Sequence, residues 1–252
     1  MTTNGARSKW RARAGVGAGV AGTFVLVVLL VGTTSAVPLT TAATASTVGA
    51  PYSGTVETGF LGNPLGCGIG ADFPVLPFFN LTSGQALASV KATAHSCGST
   101  NASVYLQSNA GFTSASYKTT TGVHHLAAHW LLTFSVSLSA KPGTAGHAVR
   151  AQFAVYFQFE LFDRTTGLTY YQGNYPEIYD TVTSGTYSHT YTKLAESVYL
   201  NATLIKGDSY EFEAQGVIAV ESFVGPGTGT ASASVTMGSG ADQALLSSVV
   251  RS

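Results

Sequence analysis

Val149-Arg150-Ala151-Gln152-Phe153-Ala154-Val155-Tyr156-Phe157-Gln158-Phe159-Glu160-Leu161 alternates without a break. Val149, Ala151, Phe153, Val155, Phe157, Phe159 and Leu161 share one face, while Arg150, Gln152, Gln158 and Glu160 share the other. A helix would scatter those apolar residues around its circumference, whereas the two-residue period of a strand collects them. The stretch 148–162 is therefore read as a strand with one dry side and one wet side.

The same period returns on either side of it. Trp130, Leu132, Phe134, Val136 and Leu138 alternate with Thr133, Ser135, Ser137 and Ser139. Val198, Leu200, Ala202 and Leu204 alternate with Tyr199, Asn201 and Thr203, and Ala231, Ala233, Val235 and Met237 with Ser232, Ser234 and Thr236. Weaker strands are expected near 86–95, 102–108 and 113–118, for about ten in all. Asp163-Arg-Thr-Thr-Gly167 reads as a hairpin loop whose glycine takes positive φ, and Lys206-Gly207-Asp208 as the turn before Tyr210-Glu-Phe-Glu-Ala. One-sided antiparallel strands need a second sheet over their apolar faces. The expected fold is all-β, a two-sheet antiparallel β-sandwich of immunoglobulin-like or jelly-roll type.

The first 36 residues carry an address. Arg7, Lys9, Arg11 and Arg13 precede an uncharged run from Ala14 that hardens into Phe24-Val-Leu-Val-Val-Leu-Leu-Val31 and closes on Thr34-Ser-Ala36. A basic region, an apolar core and a small-residue exit make a secretory signal, or a signal anchor if it stays uncleaved. Residues 37–50 read as a Thr/Ala/Ser-rich linker, 51–85 as a loop-rich segment, 86–240 as the sandwich and 241–252 as a tail. The expected location is extracellular or at the cell surface, with membrane contact only through the N-terminal segment.

Charge and cysteine usage fit that address. The whole chain balances 12 basic against 12 acidic residues, but four of the basic ones lie in the N-terminal segment. The remainder is net negative, which excludes nucleic acid as a partner. Cys67 and Cys97, the two cysteines, are expected to pair as a disulfide in an exported protein. Asn80, Asn101 and Asn201 each open an Asn-x-Ser/Thr sequon and are candidate glycosylation sites.

The functional lead is a tyrosine-rich segment. Tyr170, Tyr171, Tyr175, Tyr179, Tyr187 and Tyr191 place six of 12 tyrosines within 170–191, interleaved with Gln172, Asn174, Glu177 and Asp180. Aromatic rings are flat apolar platforms, and amides beside them hydrogen-bond sugar hydroxyls. Tyr170, Tyr171, Asn174, Tyr175 and Tyr179 are the candidate ligand-binding residues. Tyrosines also favour half-buried strand positions for packing alone.

Other constellations carry less. His125 and His129 could share a metal on a helix, but on a strand they stand about 13 Å apart. No metal site and no cofactor is expected. Glu211 and Glu213 share one face of a strand about 7 Å apart, a spacing near that of glycosidase carboxylates, with Glu160 as a third member. The plainer reading is a solvated outer face, since Tyr210, Phe212 and Ala214 take the inner one and a convex outside has no cleft. There is no G-x-S-x-G elbow and no phosphate loop, so no catalytic residue is assigned. The leading expectation is a non-enzymatic exported domain with a structural or interaction role, its partners glycans or other surface proteins. The alternative is a carbohydrate- or peptide-binding module using 170–191. A secreted sandwich hydrolase stands third, and a pilin-like assembly helix over 14–31 last.

Overall fold

Strands with one apolar side stack by burying those sides against each other, and this chain does so. A computed structural model describes residues 46–143, 147–237 and 243–252, apart from the side chains of 46 and 171–177. The expectations placed on residues 1–45, a signal or anchor and most of a linker, lie outside the described residues. The strands are β1 (Ser46–Gly49), β2 (Gly54–Leu65), β3 (Ile69–Asn80), β4 (Gln85–His95), β5 (Ala102–Ser114) and β6 (Gly122–Pro142). They continue as β7 (Val149–Asp163), β8 (Leu168–Val182), β9 (Gly185–Leu204), β10 (Tyr210–Val224), β11 (Gly229–Met237) and β12 (Gln243–Arg251).

They form two antiparallel sheets, the expected sandwich. The larger has seven strands built around β6, whose 21 residues pair with β9 along one edge. Along its other edge β6 pairs first with β12 and then with β11. The strand β11 continues to β4 and β3, and β12 to β1. The smaller sheet runs β2-β5-β10-β7-β8. Its central strand β10 pairs with β5 on one side and β7 on the other, residue for residue.

The core lies between the sheets. Every odd residue of β7 from Val149 to Asp163 is buried and every even one is half-exposed, as the alternation requires. Trp130 of β6 stacks on Phe157 of β7 at 5.2 Å between ring centroids. Phe112 of β5 meets Phe212 of β10 edge-on at 5.7 Å. Burying a phenylalanine contributes about 1.5–3 kcal/mol, and this core holds seven that are essentially inaccessible: Phe79, Phe112, Phe134, Phe153, Phe157, Phe159 and Phe212.

The turns behave as read. Gly167 has φ 75° and donates to the Asp163 carbonyl at 2.8 Å, and Gly207 has φ 103°. The Asp163 carboxylate folds back on its own loop, accepting from the Thr165 and Thr166 amides and the Thr166 hydroxyl. Cys67 and Cys97 form a disulfide with Cα atoms 5.4 Å apart, tying the β2–β3 connection to the end of β4.

The sandwich reaches beyond 86–240. Residues 51–85 hold β2 and β3, the linker's end forms β1, and the tail forms β12. Residues 102–114 make a single strand where two short ones were expected. The reason at β3 is local: Pro74 and Pro77 fall where its register against β4 shifts, between Asp72 and Val75 and between Val75 and Phe78. Proline is tolerated at a sheet edge and at bulges, and there it erases the alternation that marks a strand. In β12 a register shift between Leu246 and Ser248 does the same.

Candidate functional site

The outer face of the smaller sheet is assembled by register. Odd residues of β5 and β10 and even residues of β7 point away from the core. Side by side they make rows running across the strands. One row is Asn63, Tyr105, Glu221, Gln152 and Thr181; the next is Leu61, Gln107, Ala219, Ala154 and Tyr179. Then come Gly59, Asn109, Val217, Tyr156 and Pro176, and after them Glu57, Gly111, Gln215, Gln158 and Asn174. The last of these rows holds Thr55, Thr113, Glu213, Glu160 and Gln172.

Two tyrosines roof the middle of this face. Val217 and Ala219 lie on the solvent side of β10 and outside the core cluster, yet they are only 2% and 5% exposed. What covers them comes from the flanking strands. The Tyr105 hydroxyl donates to Gln107 Oε1 at 2.9 Å, and Tyr105 and Tyr156 interact electrostatically across β10. Both phenols are pushed up from their ordinary pKa, chiefly by burial. Two half-buried aromatic rings beside small apolar residues bring flat apolar area to this face.

Amides and carboxylates frame the rings. Asn109 Nδ2 donates to Gln215 Oε1 at 2.7 Å, and Gln215 Nε2 donates to Glu213. At one end Arg150 pairs with Glu221 at 2.5 Å, and Gln152 donates to the other oxygen of the same carboxylate. At the opposite end Glu57 accepts from Thr113 at 3.2 Å, and Glu160 accepts from Thr169 at 3.3 Å. Glu213 sits in register with Glu160. Burial first, then the charges of Glu160 and Glu57, push its pKa up to about 7.

The tyrosine-rich segment is divided between environments. Tyr179 stands opposite Ala154 on the outer face just described. Tyr170 falls at a register shift and packs against the core, its ring 6.1 Å from that of buried Tyr210. Tyr187 and Tyr191 belong to the other sheet, with Tyr191 stacked on Phe134 at 4.6 Å. The backbones of Tyr171, Asn174 and Tyr175 pair with Leu161, Gln158 and Phe157, and their side chains lie outside the described residues.

Sequence reasoning passed over Tyr105 and Tyr156. The signal was present: each is an aromatic ring at a solvent-side position between buried apolar neighbours, Val104 and Leu106 for one, Val155 and Phe157 for the other. Of the remaining candidates, Glu211 is held by Arg164 at 2.7 Å and by the Ser116 hydroxyl. His125 Nδ1 lies 2.6 Å from Asn201 Oδ1, His129 Nδ1 lies 2.7 Å from Ser197 Oγ, and His124 Nε2 lies 2.9 Å from the Thr120 carbonyl. Among the described residues no group of three metal-ligating side chains gathers.

No family model matches the chain. No curated protein matches it either. Solved structures similar to it include TmCBM61 in complex with β-1,4-galactotriose, at 9% identity over 77% of this chain and 88% of that one, with a TM-score of 0.17. The CBM22-1 xylan-binding domain of Paenibacillus barcinonensis Xyn10C matches at 13% identity over 69% of this chain and 94% of its own, with a TM-score of 0.19. The enzymatically active domain of bacteriophage CBA120 tailspike protein 4 matches at 14% identity over 77% of this chain and 19% of its own, with a TM-score of 0.14. Superpositions this loose carry no argument about fold or ligand.

Proposed function

We propose that this is an exported glycan-binding domain, and that the glycan lies on the outer face of the smaller sheet. The observation that carries this reading is the pair Tyr105 and Tyr156, half-buried on the two strands that flank buried Val217 and Ala219. Sugar rings have an apolar C–H side and an edge of hydroxyls. The tyrosine rings meet the first; Gln107, Asn109, Gln152 and Gln158 offer both donors and acceptors to the second. Tyr179 extends the aromatic surface toward the β8 edge, and Asn174 pairs by register with Gln158 beside it.

Charge narrows the ligand. The face carries Glu57, Glu160, Glu213 and Glu221 against Arg150, which is already paired with Glu221. Uronate-rich or sulfated polymers would be repelled, so the ligand is an uncharged saccharide. Export is supported by the N-terminal signal pattern together with the Cys67–Cys97 bridge. Asn101 and Asn201 are exposed sequon residues, the Asn201 Oδ1 lying 2.6 Å from His125 Nδ1, while the half-buried Asn80 side chain accepts from the Thr82 amide at 2.8 Å.

The test is a glycan array probed with the domain and with its Tyr105→Ala and Tyr156→Ala variants. Binding to a neutral oligosaccharide that both variants lose supports the reading. A blank array from the folded wild-type domain removes it and returns the face to a structural or protein-contact role.

A further inference from the structure

One corner of the outer face is built in a way that sugar stacking alone does not explain. Glu213 and Glu160 are register partners across β10 and β7, which sets their Cβ atoms about 5 Å apart. Thr113, the register partner of Glu213 on β5, hands a hydrogen bond to Glu57, so a third carboxylate reaches the same corner from β2. The other carboxylate on this end of β10, Glu211, is tied to Arg164, and Arg150 at the far end is tied to Glu221. On β5 the positions facing this corner, Gly111 and Thr113, are uncharged. Among the described residues, Glu57, Glu160 and Glu213 form no ion pair.

Water is what allows carboxylates this close to remain charged together. The corner is joined to the tyrosine roof by the chain Asn109 to Gln215 to Glu213. Val217 and Glu213 are four residues apart on β10, about 13 Å, so an oligosaccharide lying along the strand covers both. Covering the corner removes its water. Two opposed carboxylates deprived of solvent hold one proton between them, because both cannot stay ionised.

Resting on the glycan-binding reading, we infer that a neutral saccharide seated on this face takes up one proton at the Glu213–Glu160 pair, so that binding strengthens as the solution turns acid. The proton comes from solvent and no bond to the sugar is made. The corner is already poised in this direction: burial and its two acidic neighbours bring Glu213 to titrate near neutrality in the uncovered protein. Since the carboxyl becomes a donor when protonated, Gln215 turns its amide to present oxygen to it, and the Asn109–Gln215 bond reverses sense.

The experiment has two arms. The first is the array of neutral oligosaccharides, run at about pH 5.5 and about pH 8.5 with wild type and with Glu213→Gln; one pKa unit of coupling corresponds to about a tenfold change in affinity. Wild-type signal about tenfold stronger on the acid side, and a pH-independent signal from Glu213→Gln, support the inference. Signal that is flat or stronger on the alkaline side overturns it while leaving glycan binding in place. The second arm follows the side-chain amide resonances of Gln215 and Asn109 by NMR against pH without ligand. Both should titrate near neutrality in wild type, shift to lower pH in Glu160→Gln, and stay still in Glu213→Gln. Amides that do not titrate in wild type overturn the inference. A blank array from the folded protein strikes the glycan reading and the linked proton uptake together, whatever the amides do.

Discussion

Tyr156 of β7 stands in register with Val217 of β10, and Tyr105 lies on the strand at the other side of β10, so two tyrosines flank Val217 and Ala219 on the outer face. A strand position that faces water normally carries a polar residue, and this sheet places Val217 and Ala219 there with a phenolic lid. Removing the lid separates its two roles. Tyr156→Phe removes only the hydroxyl and keeps the flat ring, a change of about 0.5 kcal/mol or less. Tyr156→Ala also exposes Val217, at a further loss of about 1–2 kcal/mol by apolar area. Urea unfolding of the two variants should rank them in that order, with glycan binding retained in part by the first and lost by the second. Equal stabilities would show that the ring covers nothing.

Glu213 sets a pH dependence of folding distinct from that of binding. Its native pKa of about 7 lies above the value near 4.3 expected in the unfolded chain. Between those two values the native state holds more protons than the unfolded one, so stability falls as pH rises and levels off above the native pKa. The carboxyl is partly exposed, and solvent screening reduces the effect at neutral pH and above to about 1 kcal/mol. Glu213→Gln should flatten that slope and raise the melting temperature at alkaline pH while changing little in acid. A steeper slope in the variant would contradict the assignment.

The disulfide closes a loop of 30 residues between the β2–β3 connection and the end of β4. In the chain-entropy account that constraint is worth about 3–4 kcal/mol. Cys67→Ser with Cys97→Ser should lose about this much in denaturant melts. Because the bridge sits at the β3 side of the larger sheet, amide exchange should quicken first in β3, whose register is already interrupted by Pro74 and Pro77. Uniform quickening across both sheets would mean that the bridge supports the whole sandwich.

How much of this was legible in the sequence depends on where each strand sits. The strand over 149–163 could be read in full because both its neighbours, β10 and β8, hold it inside a sheet with one face buried. At the edge the physics differs: β2 is exposed along nearly its whole length, so no burial period is imposed on its residues. Its turn-like Asn63-Pro64 then dominates the reading. The site suffered from a different blindness. Crowding of tyrosines between 170 and 191 is visible along the chain, but Tyr105 and Tyr156 are 51 positions apart, and only the register of β5, β10 and β7 joins them. Likewise Glu213 was visible beside Glu211, whereas its working neighbours Glu160 and Glu57 arrive from other strands.

A cavity in the core offers the last test. It lies between the sheets, lined by Ala86, Ala88, Ala110, Leu132, Phe157, Gly216 and Ser108 among others. The Ser108 side chain is fully buried and its hydroxyl has no hydrogen-bond partner. A water placed there would find almost nothing but carbon to bond, so the cavity stays dry and the hydroxyl remains unsatisfied. Leaving a buried hydroxyl unpaired costs about 1–3 kcal/mol, whereas exchanging it for a methyl hydrogen removes that cost and enlarges the void by one atom. Ser108→Ala should therefore be neutral or more stable by about 1 kcal/mol, and Ser108→Val, which fills the space, more stable still if its second methyl fits without strain. Denaturant melts of the two variants decide it. A clear loss of stability in Ser108→Ala would mean that the hydroxyl holds a bond, to an ordered water or to a shifted carbonyl, and that the cavity is wet.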